Sequence, residues 1–286
     1  MKNIADFYYV EVGDALIECK PRGIFRKSGV TPLVGDMVTV TIGKDGKGMI
    51  EEIAKRKNSL ARPPLANLDK LFIVSSLSDP KPNAFVIDTM TVFAEDKSIE
   101  PVIVINKCDL SDDDSIIKIY EDAGFRVIKT SVNDHIGLDE LTNSLKGCTS
   151  AFTGNSGVGK SSLLNCIDAR FQIKTADISK KLGRGKHTTR HTELYKIQNG
   201  YIADTPGFSS IENEKLDFIQ KENLQFCFRE FAPYITKCKY TSCSHTKEKG
   251  CVIIDAVELG TIPKSRYESF LELYRQAEKI NDWERD

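Results

Sequence analysis

The octapeptide GNSGVGKS, Gly154 to Ser161, stands between an apolar run, SAFTG, and a helical one, KSSLLNCI. It fits the phosphate-loop pattern G-x-x-x-x-G-K-[ST] without a departure. Glycines let backbone N–H groups close on phosphate oxygens, the lysine reaches the β- and γ-phosphates, and the hydroxyl holds Mg²⁺. Gly154, Gly159, Lys160 and Ser161 are the residues for these tasks. At ordinary glycine and lysine usage such a match arises by chance roughly once in tens of thousands of positions. The chain is therefore expected to contain a parallel α/β sheet that carries a nucleotide.

The companion motifs stand in an unusual order. VINKCDL, Val104 to Leu110, lies upstream of the phosphate loop, at the C-terminal end of an apolar strand, where open parallel sheets bind ligands. A carboxylate at Asp109 would accept from guanine N1–H and the exocyclic amine, which adenine cannot offer, and Lys107 would cover the base with its alkyl stem. Ser131, in KTSVN after the next strand, is placed to help present a backbone N–H to guanine O6, or else simply ends that strand. The candidate GTP-binding set is thus Asn106, Lys107, Cys108, Asp109, Ser131, Gly154, Asn155, Ser156, Gly157, Val158, Gly159, Lys160, Ser161 and Ser162.

DTPG, Asp204 to Gly207, follows the apolar GYIA and supplies an acid for the Mg²⁺ shell and an N–H for the γ-phosphate. Ras-like GTPases carry Gln directly after this motif to orient water; Phe208 stands here, and its ring cannot do so by hydrogen bonding. Hydrolysis must recruit another group or be intrinsically slow. KKLGRGKHTTRHTE lies where a first switch belongs, and Thr188 or Thr189 is expected to sense Mg²⁺ and the γ-phosphate. Ser161, Thr189 and Asp204 form the expected magnesium set. His187 is the candidate catalytic residue, with a surface histidine of no chemical role as the plainer alternative. Base-reading motif, Ser131 loop, phosphate loop, switch and DTPG is the order of a circularly permuted G domain, which the closeness of termini in compact domains allows.

At 286 residues there is room for about two domains and a small third. FYYVEV, ALIECK, MVTVTI and GMIEEI, separated by glycine-containing turns, read as a small β-barrel or sandwich. NSLARPPLANL then reads as a linker. KLFIVSSL, PVIVINK, FRVIKTS and SAFTG read as buried strands, with AFVIDTMTVFAED and LDELTNSLK among the helices between them. PKSRYESFLELYRQAEKIND has helical spacing of apolar residues. The expected boundaries are 1–62, 68–221 and 222–286.

Near the C-terminus CKYTSCSHTKEKGC places Cys238, Cys243, His245 and Cys251 at spacing C-x4-C-x-H-x5-C. Three thiolates and an imidazole in fourteen residues suit one closed, four-coordinate structural Zn²⁺ per chain. The other cysteines, Cys19, Cys108, Cys148, Cys166 and Cys227, lack ligand spacing. No apolar run approaches the roughly 20 residues of a membrane span, and the N-terminus lacks the core of a secretory signal, so a cytoplasmic protein is expected. The formal net charge of −1 conceals asymmetry: Arg170 to Lys196 holds eight Lys/Arg against two acids. That basic glycine-containing loop suits phosphate contacts with RNA, and it also suits a solvated face. Lysines around the Cys/His cluster again favour an anionic partner.

With these residues in hand, the chain resembles the RsgA (YjeQ) family of circularly permuted bacterial GTPases. The likeness runs from the β-barrel start through NKCD, GNSGVGKS, GRGKHTTR and DTPGF to the Cys/His cluster. It implies a multidomain α/β protein with an N-terminal OB-fold β-barrel, a permuted P-loop GTPase domain and a C-terminal zinc-binding helical region. It also implies GTP hydrolysis stimulated by the 30S subunit, a role in late maturation of that subunit through 16S rRNA, and a catalytic histidine at the position of His187. A monomer turning GTP into GDP is expected. A GTP-controlled binding module acting on a protein target is the alternative, and Asp109 disfavours an unrelated P-loop ATPase.

Overall fold

The computed structural model describes residues 2–4, 7–27, 29–171, 192–197, 199–204 and 219–279. The N-terminal strands β1 (Lys2–Ile4), β2 (Phe7–Val12) and β3 (Ala15–Pro21) form an antiparallel meander. Helix α1 (Gly23–Lys27) leads to the hairpin β4 (Val38–Ile42) and β5 (Gly48–Ile53), and β5 returns parallel to β3. The resulting order, β1-β2-β3-β5-β4, packs around Val10, Cys19 and Ile50, one buried residue from each of three strands. Cys19, which lacks ligand spacing, is a buried core residue here.

The stretch expected to be a linker is a packed joint. It folds into the small hairpin β6 (Ser59–Leu60) and β7 (Leu65–Ala66), and Asn58 clasps both backbone groups of Leu68 with its carboxamide. Leu60, Leu65 and Leu68 are buried in the same core as Leu71 and Ile73 of the next strand, and Ala66 is buried as well. Of the leucine and alanine side chains in this stretch only Ala61 is left exposed.

The central sheet contains β8 (Lys70–Ser76), β9 (Glu100–Asn106), β10 (Arg126–Lys129), β11 (Thr149–Thr153), β12 (Glu193–Ile197) and β13 (Gly200–Asp204). Their helices are α2 (Ala84–Asp96), α3 (Ser115–Asp122), α4 (Leu138–Ser144) and α5 (Lys160–Ile167). The spatial order is β10-β9-β8-β11-β13-β12, all parallel except β12. Counting from β11 as the first strand turns this order into 6-5-4-1-3-2, a doubly wound sheet whose direction of winding changes between β8 and β11. Side chains of α2 and α3 fill one face of the sheet and those of α4 and α5 the other. The crevice at such a reversal is where these sheets bind ligands, and the phosphate loop follows β11.

The C-terminal body holds α6 (Lys221–Leu224), α7 (Val252–Glu258) and α8 (Lys264–Glu278) around the stacked rings of Phe228 and Phe231, with Phe270 edge-on to both. Arg266, Ser269, Phe270, Leu273 and Ala277 form the buried stripe of α8 at the spacing read from the sequence. No helix among the described residues is long and apolar enough to cross a membrane.

Candidate nucleotide site and metal centre

Parallel pairing brings the ends of β9, β10, β11 and β13 to one edge of the sheet. Three motifs that are far apart in sequence meet there through Asn106. Its side-chain N–H donates to the Val158 carbonyl at 2.9 Å, and its Oδ1 accepts from the Thr130 hydroxyl at 3.0 Å. Asn106 is buried, so these bonds are shielded from competing water and fasten the phosphate loop to the loops after β9 and β10.

The phosphate loop is shaped by glycines that nothing else replaces. Gly154 has φ +143 and a Cβ there would lie 2.1 Å from the Val74 carbonyl oxygen; Gly159 has φ +91 and its Cβ would lie 2.2 Å from Asn106 Nδ2. Lys160 opens α5 and donates to the Gly154 carbonyl at 3.1 Å, so its ammonium lies across the mouth of the loop. Ser156, Gly157, Ser161 and Ser162 are exposed, while Asn155 is half-buried and Val158 buried. Exposed N–H groups and a cation at a helix start are what an anionic ligand requires.

Lys107 adopts a left-handed backbone and donates through Nζ to the Asp79 carbonyl, in the loop after β8. Cys108 is half-buried and its N–H donates to the Thr130 carbonyl. Asp109 is exposed, and the hydroxyl of Ser131, with smaller help from Asn133, holds its carboxyl below the usual range. Ser131 is fully buried, exchanges backbone hydrogen bonds with Ile136 at 3.1 and 3.0 Å, and accepts from the Asp134 N–H at 3.1 Å. The KTSVN stretch is thus a closed turn rather than a plain strand end.

His187, Thr188, Thr189, His191 and Phe208 lie outside the described residues, as does all of DTPG after Asp204. Asp204 ends β13, which runs parallel to β11 beside the phosphate loop. Sequence reading missed Thr130, which anchors Asn106, and the Asp79–Pro80 turn, which meets Lys107. Thr130 sits inside the quoted KTSVN, but nothing in its spacing marks it; Asp79 and Pro80 belong to no nucleotide motif.

At the far side of the C-terminal body, single ligand atoms of Cys238, Cys243, His245 and Cys251 all lie within 4.8 Å of one another. His245 turns Nδ1 toward the sulfurs, 3.4 Å from Cys251 Sγ and 3.6 Å from Cys238 Sγ, while Nε2 meets Gln225 Oε1 at 2.8 Å. Burial lowers the His245 pKa, which keeps the imidazole neutral as a ligand must be. The Gln225 contact fixes the ring with the proton on Nε2. Tight mutual approach of four soft donors without a disulfide fits a closed metal centre.

Comparison with known proteins gives the family. The chain matches the RsgA GTPase family over residues 53–214 and the RsgA N-terminal domain over 1–50. It belongs to the RsgA GTPase family. A relative from Alkaliphilus metalliredigens, "Small ribosomal subunit biogenesis GTPase RsgA", is 44% identical over 98% of this chain and 97% of its own length. A protein of the same name from a Geobacillus species is 43% identical over 98% and 96%. The crystal structure of YloQ, titled a circularly permuted GTPase, superposes with TM-score 0.80 at 35% identity, covering 97% of this chain and 93% of that one. YjeQ from Thermotoga maritima gives TM-score 0.80 at 34% identity, covering 96% and 95%. The sheet order derived above is therefore that of a permuted RsgA G domain.

Proposed function

We propose that this RsgA-family GTPase acts on the small ribosomal subunit, binding 16S rRNA during late 30S maturation and hydrolysing GTP to GDP and phosphate there. The observation that carries the reading is the junction at Asn106, which supports NKCD, the Ser131 turn and the phosphate loop as one site. The names of the relatives supply the ribosomal part of it.

In this reading Asp109 accepts from the guanine base, Lys107 covers it, and the Ser131 turn lies against O6. The remaining loop residues of the set, with Lys160, take the phosphates. Ser161, Thr189 and Asp204 would hold Mg²⁺, which when bound would neutralise charge developing on the phosphate oxygens. His187 orients the attacking water that Phe208 cannot. The Cys238, Cys243, His245 and Cys251 cluster holds one structural Zn²⁺, and Lys237, Lys239, Lys247 and Lys249 add positive charge near rRNA phosphates. We read three domains, 1–62, 68–221 and 222–286, in a cytoplasmic monomer.

GTP turnover of the purified protein with and without 30S subunits tests the proposal. Stimulation is expected, and binding to the subunit should weaken steeply with added salt as counterions are released. His187→Ala should keep GTP affinity and subunit binding but lose most of the stimulated rate, by about 10²–10⁴-fold; His191→Ala is the control. A wild-type stimulated rate in His187→Ala removes that residue from catalysis. Metal analysis should find one zinc per chain, and a folded, active preparation without it defeats the metal reading.

A further inference from the structure

We propose that Asn133 is a positioning residue for guanine recognition, its side-chain amide fixing the Asp109 carboxylate in the plane that the base requires. The inference rests on the reading of Asp109 as the base acceptor.

Two observations carry it. Asn133 Nδ2 donates to Asp109 Oδ2 at 3.3 Å, although the residues are separated by 24 positions and stand on loops after different strands. The loop that brings Asn133 there is not free to wander. Ser131 and Ile136 exchange two backbone hydrogen bonds across it, and the Ser131 hydroxyl receives the Asp134 N–H. Gly137, at φ +68, lets the chain pass so close to Lys129 that a Cβ would stand 1.9 Å from its carbonyl oxygen. Asn133 is thus presented from a pinned turn.

The Ser131 hydroxyl, the backbone N–H of Asp109 and the charge of Lys107 also favour the ionised Asp109 carboxylate. Those interactions leave the carboxylate able to turn about its Cβ–Cγ bond. The Asn133 amide, donating to Oδ2, restrains that rotation and sets the orientation of the carboxylate plane. Guanine offers two parallel donors, N1–H and the 2-amino group, so a carboxylate that meets both must be coplanar with the base. Hypoxanthine keeps N1–H and lacks the 2-amino group, so a single bond to a rotated carboxylate serves it nearly as well. The amide therefore acts on the preference for guanine over hypoxanthine more than on nucleotide binding in general.

The test uses the full-length protein and competition of GDP and IDP against a fluorescent guanine nucleotide. Asn133→Ala should weaken GDP by about three- to tenfold, the range of an ordinary solvent-exposed hydrogen bond, while IDP changes by less than about twofold. Asn133→Asp, which faces Asp109 with a second carboxylate, should lower the GDP:IDP preference further. The thermal midpoint of both variants should stay at the wild-type value, since the side chain is exposed. An unchanged preference, or equal weakening of both nucleotides, overturns the proposal. Asp109→Asn separates the two levels. If it leaves the GDP:IDP preference intact, Asp109 does not read the base and both readings fall; if it abolishes the preference while Asn133→Ala does not, only the role of Asn133 falls.

Discussion

Single atoms decide whether the nucleotide site closes. Gly159 permits the Asn106 carboxamide to reach the Val158 carbonyl, because a methyl group at residue 159 would occupy the position of Asn106 Nδ2. Gly159→Ala is expected to lower GTP affinity by at least tenfold, since it adds strain at positive φ and breaks the bolt between two motifs. Gly124→Ala is a matched comparison, with positive φ and open space around it; it should lose some stability and keep affinity. Equal GTP affinity in the two variants would refute the bolt. A second residue-scale case is Glu248. Burial raises its pKa, but the Ser244 hydroxyl and the N–H groups of Ser244 and Lys247 outweigh that and hold it at about 2, below its ordinary 4.5. The folded pKa is depressed, so the stabilisation is present above pH 4.5 and is lost as pH falls toward 2. Glu248→Gln should lower the unfolding midpoint of the C-terminal body at pH 7, and the gap to wild type should close over that acid window. A gap that persists at pH 2 would mean the carboxylate charge is not the cause.

At the scale of elements, α2 is where the G domain meets the C-terminal body. Arg266 of α8 is fully buried and reaches Asp88 of α2 at 2.7 Å, the Thr91 hydroxyl at 3.1 Å and Glu230 at 2.7 Å. Its guanidinium also lies over the rings of Phe228, Phe125 and Tyr120, and the Tyr120 hydroxyl donates to Asp88 at 2.8 Å. Removing the cation alone leaves two buried carboxylates, so Arg266→Ala should destabilise the full chain by about 3–5 kcal/mol. The triple variant Arg266→Met, Asp88→Asn, Glu230→Gln removes every charge and should cost less than Arg266→Ala alone. Urea unfolding of both decides it, and a triple variant that is the less stable contradicts the charge argument. None of this was legible in the sequence. The span of α2 was readable from AFVIDTMTVFAED, and that of α5 from KSSLLNCI, because a continuous apolar pattern with clear ends is a local property. Nothing in such local patterns marks Asp88 or Arg266; only folding over 178 positions shows them to be a pair. The phosphate loop and the Cys/His cluster were legible for the opposite reason, since each packs its chemistry into a few consecutive residues. Asn58 and the hairpin around Pro63 were misread as a spacer because their partner core lies in β8.

Over the whole molecule, permutation has a consequence for how the domains hold together. The parallel sheet begins in the chain with β8, which lies in its middle, and the strand at its edge, β12, is covered by β1 from the N-terminal strands. Glu11 of β2 adds bonds to Lys196 of β12 at 2.5 Å and to Tyr201 of β13 at 2.9 Å. Val34, Leu60 and Leu65 enter the same core as Leu71, Ile73, Leu194 and Ala203. The N-terminal strands and the G-domain strands thus share a sheet and a core, and β1 protects an edge that would otherwise expose unpaired backbone groups. The surface ion pair contributes little by itself, so Glu11→Gln should shift stability by less than about 1 kcal/mol. A chain starting at Leu68 should fare far worse, because it uncovers β12 and the apolar face of β8 together. It is expected to aggregate or to melt well below the full-length protein, whose barrel and G domain should unfold in one calorimetric transition. A soluble 68–286 fragment that keeps the full-length melting temperature would show that the two domains are independent, and the shared core would then have no part in stabilising the GTPase.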